Sequence, residues 1–315
     1  MKRKDFIRSA CALAMTSLAD KCILGQDHAP TGILDYDLRQ KEIDDVVPDV
    51  FTQYYKSGLD IKSAQLSEIE CKYPAIGKLE KAFSNVYDEV RQTVVKDLNK
   101  PAVWYLYNMG IIVKTPNRLF AIDLHHRRAE DFAKLLDFAC ITHNHSDHYT
   151  ERFKVAMDRG QHKCVINNFF DNYGVKKRAL GGFTRAKSKV FDFGEVKVIT
   201  GLCDHNNYLV DYTMTFEIHV GDFTLFHSGD CYSHDKFNLE RKPDLWVLHP
   251  YCGMDPVKAS TKVVHPKKVV IAHLQEMSHA KGRYRWTYRD GLNMRDCLSR
   301  SGIDSVVPLW GDRIL

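Results

Sequence analysis

The chain lacks several features that would assign it to a protein class at once. No apolar run in its 315 residues reaches the roughly 18 residues that a membrane-spanning helix needs. Its nine cysteines include no Cys-x-x-Cys pair, and in a chain of this length they do not indicate a disulfide framework. There is no internal repeat and no low-complexity segment. The sequence therefore predicts a globular protein without a membrane span.

The first 19 residues are typical of a secretory signal peptide. The basic cluster KRKDFIR precedes a short apolar stretch, and the small residues Ser17 and Ala19 lie at positions −3 and −1 of a cleavage site. Residues 3–8 resemble a bacterial twin-arginine signal in which Lys4 replaces the second arginine. We expect a bacterial protein that is periplasmic or secreted. The alternative is an uncleaved amphipathic helix on a cytoplasmic protein.

Little net charge remains outside this segment. Residues 1–19 contain four basic residues and one acidic residue, so their removal lowers the formal charge from +5 to +2. Because nucleic-acid binding depends on a positively charged surface, we expect no nucleic-acid partner and favour a small-molecule substrate. Eight cysteines stay in the mature chain, and their pairing cannot be deduced from the sequence.

The rest of the chain divides into two regions. Residues 20–101 form a predicted helical extension, in which apolar residues at helical spacing predict a helix over residues 76–98 (Ile76, Leu79, Phe83, Val86, Val90, Val94). Residues 102–315 form the second predicted domain. They contain strand-like runs such as RLFAIDL, FTLFHSGD and KVVIAHL, separated by turn residues and short helical stretches. This pattern predicts a layered α+β or α/β fold, with helices covering the sheets.

Four titratable residues are crowded into the motif HNHSDH. His143, His145, Asp147 and His148 follow the strand-like run DFACIT, so they occupy a loop at a strand end. Imidazole and carboxylate groups are the usual ligands of zinc and similar divalent ions. A solvated histidine-rich loop is the alternative, but a bound cation explains the clustering better, because four such groups would repel one another or stay unsatisfied if buried alone.

One short loop cannot complete two metal coordination shells, so further ligands must come from elsewhere. Three residues follow predicted strands further along the chain: His205, Asp230 and His273. A single histidine after a strand is more often a packed or surface residue. Three such residues downstream of a dense cluster predict a shared site.

These residues resemble the HxHxDH signature and the downstream ligands of the metallo-β-lactamase superfamily. The resemblance covers residues 102–315 and implies a four-layer αββα sandwich with a dinuclear metal centre at one edge. It implies one metal held by His143, His145 and His205. The second metal would be held by Asp147, His148 and His273, with Asp230 bridging the two. The context CDHNN around His205 and the run NMGIIVKTPNRLFAIDLHH look like the L-ascorbate-6-phosphate lactonase branch.

The chemistry that this resemblance implies is hydrolysis. Two divalent ions, most simply Zn²⁺ but also Mn²⁺ or Fe²⁺, can share a hydroxide that attacks an ester, lactone, amide or phosphodiester. Asp147 and Asp230 are the predicted catalytic carboxylates, and Asp147 can also accept a proton. The alternatives are a non-catalytic metal-binding protein, a phosphodiesterase or nuclease-type member, and a di-iron flavoprotein. His145 and the lack of a flavin domain argue against the last.

Other residues near these positions have two interpretations each. His279, Arg283 and Arg285 lie in a basic, aromatic loop after His273 that could grip an anionic substrate; charge removal at the two arginines would then raise KM for an anionic substrate more than for a neutral one. The alternative is an ordinary solvated loop. Asp123 either orients a ligating histidine or is a solvated strand-end carboxylate. Cys203 and Cys231 are predicted to lie in the core or directly behind the ligands.

Overall fold

The computed structural model describes residues 33–57, 63–159, 164–167, 179–180 and 189–315. The predicted signal peptide, residues 1–19, lies outside the described residues. Residues Arg39–Leu315 form one compact unit. No helix among the described residues is long and apolar enough to cross a membrane.

Helices come before the first strand. They are α1 (Ile33–Asp44), α2 (Pro48–Ser57), α3 (Ser63–Lys72) and α4 (Pro74–Gln92). Helix α4 starts with Pro74 in its first turn, where a missing N–H costs nothing, and it buries Phe83 and Val86. The prediction of a helix up to residue 98 is wrong at its end. Thr93 is extended and Val94 is 76% exposed, because the β-branched run Thr93–Val95 favours extended backbone.

Two sheets follow the helices. The first has the order β1-β2-β3-β4-β5-β6, antiparallel up to β3 and parallel afterwards. Its strands are β1 (Ala102–Tyr105), β2 (Ile111–Lys114), β3 (Leu119–Ile122), β4 (Phe138–Cys140), β5 (Cys164–Ile166) and β6 (Ala179–Leu180).

The second sheet has the order β13-β12-β11-β10-β9-β8-β7. It is antiparallel from β7 to β10 and parallel from β10 to β13. Its strands are β7 (Val190–Asp192), β8 (Val196–Cys203), β9 (Thr213–Val220), β10 (Phe223–His227), β11 (Leu245–Leu248), β12 (Lys268–Ile271) and β13 (Asp304–Val306).

The remaining helices lie between or after strands of the two sheets. They are α5 (Ala129–Ala133), α6 (Glu151–Arg159), α7 (Pro256–Ala259), which continues into a π-helical turn over Ser260–Val264, and α8 (Tyr288–Arg300). Helix α6 packs on β5, and α8 packs on β12 and β13. Strands β1, β3, β9, β10 and β11 are buried along their whole length, so both faces of each sheet are covered. The predicted sandwich of two sheets between helices is confirmed. The predicted domain boundaries stay a prediction.

Strand direction explains where the candidate residues meet. Strands β3 and β4 are parallel, and Asp123 and the HNHSDH loop directly follow their carboxyl ends. In the other sheet, β10, β11 and β12 are parallel, and their ends lead to Asp230, His249 and His273. The carboxyl ends of parallel strands share one edge of a sheet, where ligand sites of α/β proteins concentrate. The topology therefore gathers these side chains at one edge of the sandwich.

The two sheets approach each other closely at this edge. Gly229 has φ +57°, and a Cβ atom there would lie 2.8 Å from Cγ2 of Thr142. Only glycine combines this backbone conformation with so close a contact. The residue before Asp230 thus brings the end of β10 against the start of the histidine loop.

Candidate metal centre

Three histidines form the first group. One ring nitrogen from each of His143, His145 and His205 lies within 4.8 Å of the others. His205 donates its Nδ1 hydrogen to the carbonyl oxygen of Asp230 at 2.9 Å, and this tautomer leaves Nε2 as the nitrogen with a lone pair. The three imidazoles therefore provide a set of nitrogen donors that could share one cation.

A second group contains Asp147, His148 and His273, all of them buried. Oδ2 of Asp147 lies 3.2 Å from Nε2 of His273 and 3.7 Å from Nε2 of His148. This mixture of carboxylate and imidazole is the donor set that divalent transition metals prefer.

Asp230 lies between the two groups. Its Oδ2 is 4.0 Å from Nε2 of His143, 3.3 Å from Nε2 of His148 and 3.5 Å from Nε2 of His273. The structure thus brings all seven sequence-predicted ligands into one cluster, with Asp230 between the two groups. Ligation by each of them stays a prediction.

Buried histidines and carboxylates of opposite charge shift one another's pKa values in this cluster. Burial alone would lower the pKa of His148, but the carboxylates of Asp230, Asp147 and Asp123 raise this pKa well above its ordinary value. Burial alone would raise the pKa of Asp230, yet His148, His273 and His249 hold it well below the usual range. The carboxylates of Asp147 and Asp230 are therefore ionised and need positive charge beside them.

Two other imidazoles of the cluster, those of His143 and His145, are neutral at pH 7. Burial, followed by His205, lowers the pKa of His145 to about 4, and burial lowers the pKa of His143 well below its ordinary value. Buried Nε2 atoms of His143 and His148 make no hydrogen bond to any described residue. Buried polar atoms without a partner are costly, and a cation at this place would satisfy them. The residues fit divalent metal ions.

Asp123 orients one of these histidines. Its Oδ2 accepts a hydrogen bond from Nδ1 of His148 at 2.9 Å, so Nε2 of that ring faces the cluster. Both oxygens of Asp123 are also held by Thr142, through its amide N–H at 2.8 Å and its hydroxyl at 2.7 Å. Of the two interpretations of this residue, the structure favours the one in which it fixes a histidine.

Asn108 was not identified from the sequence. It has φ +55° in the turn between β1 and β2, and its Nδ2 donates to the carbonyl oxygen of Asp147 at 2.8 Å and to Oδ2 of Asp147 at 3.2 Å. Its own carbonyl oxygen accepts from the amide N–H of His273 at 2.8 Å. One turn of the first sheet thereby positions two candidate ligands.

We expect Asn108→Gly to weaken metal binding by about 10- to 100-fold, which is the usual effect of losing a partner behind a ligand. Glycine keeps the positive φ, so the turn itself should survive. Metal affinity measured by competition with a chromophoric chelator tests this. The control is Asn293→Ala, at an exposed position of α8. Unchanged affinity in Asn108→Gly would show that Asp147 needs no such support.

His249 was also missed. It follows β11 just as His273 follows β12, so the signal that identified His273 was present in LWVLHP as well. Its Nδ1 lies 3.2 Å from Oδ1 of Asp230, and its ring is stacked on that of His273 with centroids 3.8 Å apart. Burial, followed by His273, lowers its pKa to about 4. This neutral imidazole holds Oδ1 of Asp230, which leaves Oδ2 facing the other ligands.

Three cysteines lie close to the candidate ligands His205 and Asp230. Cys203 and Cys231 are buried, as predicted, and they form a disulfide with a Cα–Cα distance of 5.8 Å, a pairing that the sequence could not reveal. The bond joins the segment before His205 to the residue after Asp230. Cys252 donates its Sγ hydrogen to the carbonyl oxygen of Asp230 at 3.1 Å, and its Sγ could share a cation with His205 and Asp230.

Of the three predicted substrate residues, Arg285 has a structural role. Its guanidinium is buried and donates to the carbonyl oxygens of Ile43, Val46 and Met277 at 2.8–3.2 Å. The assignment of Arg285 to substrate binding is therefore replaced by one in which it ties the loop to the end of α1. Arg283 is exposed, and His279 is half-buried with its Nδ1 on Glu276; their roles toward substrate stay predictions.

Because three buried carbonyl oxygens would lose their donor, Arg285→Met should lower the free energy of unfolding by about 3 kcal/mol. Urea denaturation measures this. Arg283→Met, at an exposed position in the same loop, is the matched control and should change stability by less than about 0.5 kcal/mol. Equal stabilities of the two variants would contradict the structural role of Arg285.

Comparison with known proteins defines the fold. No protein-family model matches the chain, and no curated protein does so. Among solved structures, Igni18, a metallo hydrolase from Ignicoccus hospitalis, has a TM-score of 0.51 and 16% identity over 68% of this chain and 98% of its own. The metallo-β-lactamase fold protein YhfI from Bacillus subtilis has a TM-score of 0.50 and 12% identity, with the same coverage.

A variant of the β-hydroxylase CmlA from Streptomyces venezuelae is similar as well. It has a TM-score of 0.50 and 10% identity over 79% of this chain and 59% of its own. At identities this low, the likeness establishes the fold alone. The chain has the metallo-β-lactamase fold, with the histidine and aspartate cluster at one edge of its sandwich.

Proposed function

We propose that this chain is a metal-dependent hydrolase that holds two divalent ions and cleaves an ester, lactone, amide or phosphodiester bond of a small molecule. The observation that carries this proposal is the convergence of seven sequence-predicted ligands on one cluster, five of them buried and His145 and His205 partly buried, in two groups with Asp230 between them. The fold of metallo-hydrolases such as Igni18 supports it.

Each group would hold one ion. His143, His145 and His205 would bind the first, Asp147, His148 and His273 the second, and Asp230 would contact both. When bound, divalent ions lower the pKa of water towards 7 and polarise a carbonyl or phosphoryl oxygen. Zinc fits this donor set, and manganese or iron fits it too.

The protein's own residues prepare the site for this chemistry. The amide of Asn108 and the imidazole of His273 both lie against Oδ2 of Asp147, which leaves Oδ1 as the oxygen that can take a proton. Asp147 and Asp230 are almost completely buried, and the low dielectric constant around them strengthens every charge interaction with a bound substrate.

Elemental analysis of the purified chain tests the metal centre. We expect close to two divalent ions per chain in the wild type and fewer in both His143→Ala and His273→Ala. His234→Ala, whose imidazole lies outside the cluster and 4.0 Å from Asp235, is the control and should keep both ions. Metal-loaded protein is then screened against lactones, phosphodiesters and acyl amides. One ion or none in the wild type would favour a metal-binding protein without this activity.

Export from the cytoplasm also remains part of this proposal. The disulfide between Cys203 and Cys231 supports an oxidising compartment such as the periplasm.

A further inference from the structure

The loop that follows His273, the last candidate ligand, contains a buried carboxylate, that of Glu276. Oε1 of Glu276 accepts hydrogen bonds from the hydroxyl of Tyr107 at 3.1 Å and the amide N–H of Ser278 at 2.6 Å. Oε2 accepts from the amide N–H of His279 at 2.9 Å and from Nδ1 of the same residue at 2.5 Å. Burial alone would raise the pKa of Glu276, but these hydrogen bonds, that of His279 foremost, lower it. Glu276 is therefore an ionised acceptor in a fixed orientation.

His279 is the one side chain of this arrangement that reaches the surface of the loop. Its Nδ1 hydrogen points at Glu276, so Nε2 is the nitrogen available for proton transfer. The imidazole is 36% exposed, and its Nε2 makes no hydrogen bond to any described residue. Glu276 raises its pKa, and the charges of Asp147 and Asp230 act in the same direction. The contacts place this pair beside the candidate metal centre: Tyr107, which donates to Glu276, is the neighbour of Asn108, whose amide contacts Oδ2 of Asp147.

We propose that His279 is the general acid of the reaction, positioned by Glu276, and that the substrates are esters, lactones or phosphodiesters whose leaving group is a poorly stabilised alkoxide. The inference rests on the proposed function and assigns the side chain that completes it. A leaving alkoxide needs a proton as the bond breaks, and a carboxylate–imidazole pair is a common source of one.

Proton transfer from His279 accompanies the breaking of the bond to the leaving group. The bond between the carbonyl carbon or phosphorus and the leaving oxygen breaks, and its electron pair stays on that oxygen. The Nε2 proton of the imidazolium transfers to the same oxygen, so the product leaves as a neutral alcohol. The added water gives its oxygen to the product acid and releases a proton. Neutral His279 keeps its Nδ1 hydrogen on Glu276 and takes up a proton from solvent at its exposed edge.

A purely structural role would not use the imidazole in this way. The amide groups of Ser278 and His279 already tie the loop to Glu276, and Nδ1 of His279 adds a third hydrogen bond to the same carboxylate. Nε2 of His279 makes no hydrogen bond to a described residue, so this nitrogen anchors nothing and stays available for proton transfer. The two roles therefore predict different consequences of removing the imidazole.

The decisive experiment compares leaving groups. The wild type and His279→Gln are assayed, with metal content matched, on the 4-nitrophenyl ester and the ethyl ester of one acid: acetic acid if the wild type is an esterase, phenylphosphonic acid if it is a phosphodiesterase. Nitrophenolate is stable enough to leave without a proton. Ethoxide needs a proton from a general acid in order to leave. We expect kcat/KM to fall about 10²- to 10⁴-fold for the ethyl ester and less than about 10-fold for the nitrophenyl ester.

Lys281→Gln is the control, because this side chain is 73% exposed two residues further along the same loop. It should leave both rates unchanged. Equal losses on both esters in His279→Gln, or no loss on either, would overturn the role of His279 while leaving the hydrolase intact. A metal-loaded wild type that cleaves neither ester nor any compound of the screen would overturn the proposed function and this inference together.

Two further measurements separate proton transfer from folding. His279→Ala should regain cleavage of the ethyl ester when free imidazole is added, whereas a collapsed loop would not. Glu276→Gln should move the alkaline limb of the pH–rate profile for the ethyl ester to lower pH. The reason is that Glu276 is the main group that favours the charged imidazole of His279, while Asp147 and Asp230 are unchanged in this variant. An alkaline limb at the same pH as in the wild type would exclude Glu276 as the positioning residue.

Discussion

Asp230→Ala should abolish metal binding and hydrolysis together. This carboxylate is the group that faces both sets of ligands, with Oδ2 at 3.3–4.0 Å from the nearest imidazole nitrogens of each. Loss of a residue that merely supports a ligand already costs 10- to 100-fold in metal affinity. Loss of the shared carboxylate should therefore cost more than about 100-fold and affect both ions.

Asp235→Ala is the matched control for this variant. Asp235 lies five residues away, and its side chain is 81% exposed. Elemental analysis and kcat/KM on the substrate from the screen are measured for both variants, and thermal denaturation shows that each is folded. An Asp230→Ala variant that keeps two ions, or more than a tenth of the wild-type kcat/KM, would contradict the bridging position.

Metal affinity should depend strongly on pH, and this is the second large effect that we expect. In the metal-free chain, the neighbouring carboxylates raise the pKa values of His148 and His273, which favours the protonated form of both rings. A metal binds only the deprotonated ring, and each ion must displace protons as it enters. Apparent metal affinity should therefore rise with pH, about tenfold per pH unit for each displaced proton, and it should be lost as pH falls.

Isothermal titration calorimetry of the metal-free protein with Zn²⁺ at pH 6, 7 and 8 measures this. Repetition in buffers of different ionisation enthalpy counts the protons released, and we expect at least one per chain. Affinity that does not change with pH would mean that the rings are already neutral in the metal-free chain.

Metal should also stabilise the folded chain. A ligand present at 1,000 times its dissociation constant adds about 4 kcal/mol to the free energy of unfolding, so chelation should lower Tm clearly in the wild type. Asp230→Ala, which has no ion to lose, should show no such decrease. This comparison separates the loss of a bound ion from a general effect of the chelator.

Several elements of the site could be read from the sequence because their signals are local. The HNHSDH motif places its four groups within one loop, and His205, Asp230 and His273 each follow a strand of strong apolar character. His249 follows β11 in the same way. It was not identified as a candidate because no recognisable motif surrounds it. A layered fold with helices covering the sheets was predictable from the order of strands and helices, and the two-sheet sandwich was implied by the resemblance to the metallo-β-lactamase superfamily.

Other elements depended on contacts between distant residues. Asn108 touches Asp147 across 39 positions, and the guanidinium of Arg285 meets the carbonyl oxygen of Ile43 across 242. Arg285 therefore looked like a substrate residue in a basic loop, when burial and three backbone acceptors make it a structural one. The end of α4 was also predicted wrongly. Apolar residues continue at helical spacing up to Val94, but the β-branched run that begins at Thr93 ends the helix.

By itself, the sequence determined which chemical groups this protein has and the strand ends on which they lie, since side-chain type and apolar period are local properties. The tertiary structure alone decided which of those groups share one buried space, which oxygen of Asp147 and of Asp230 is left free, and which imidazole of the loop after β12 is paired with Glu276. The reason is physical: proximity across a hundred or more residues is set by strand direction and sheet order, and burial, not residue type, decides whether a charge is a ligand, a proton donor or a structural anchor.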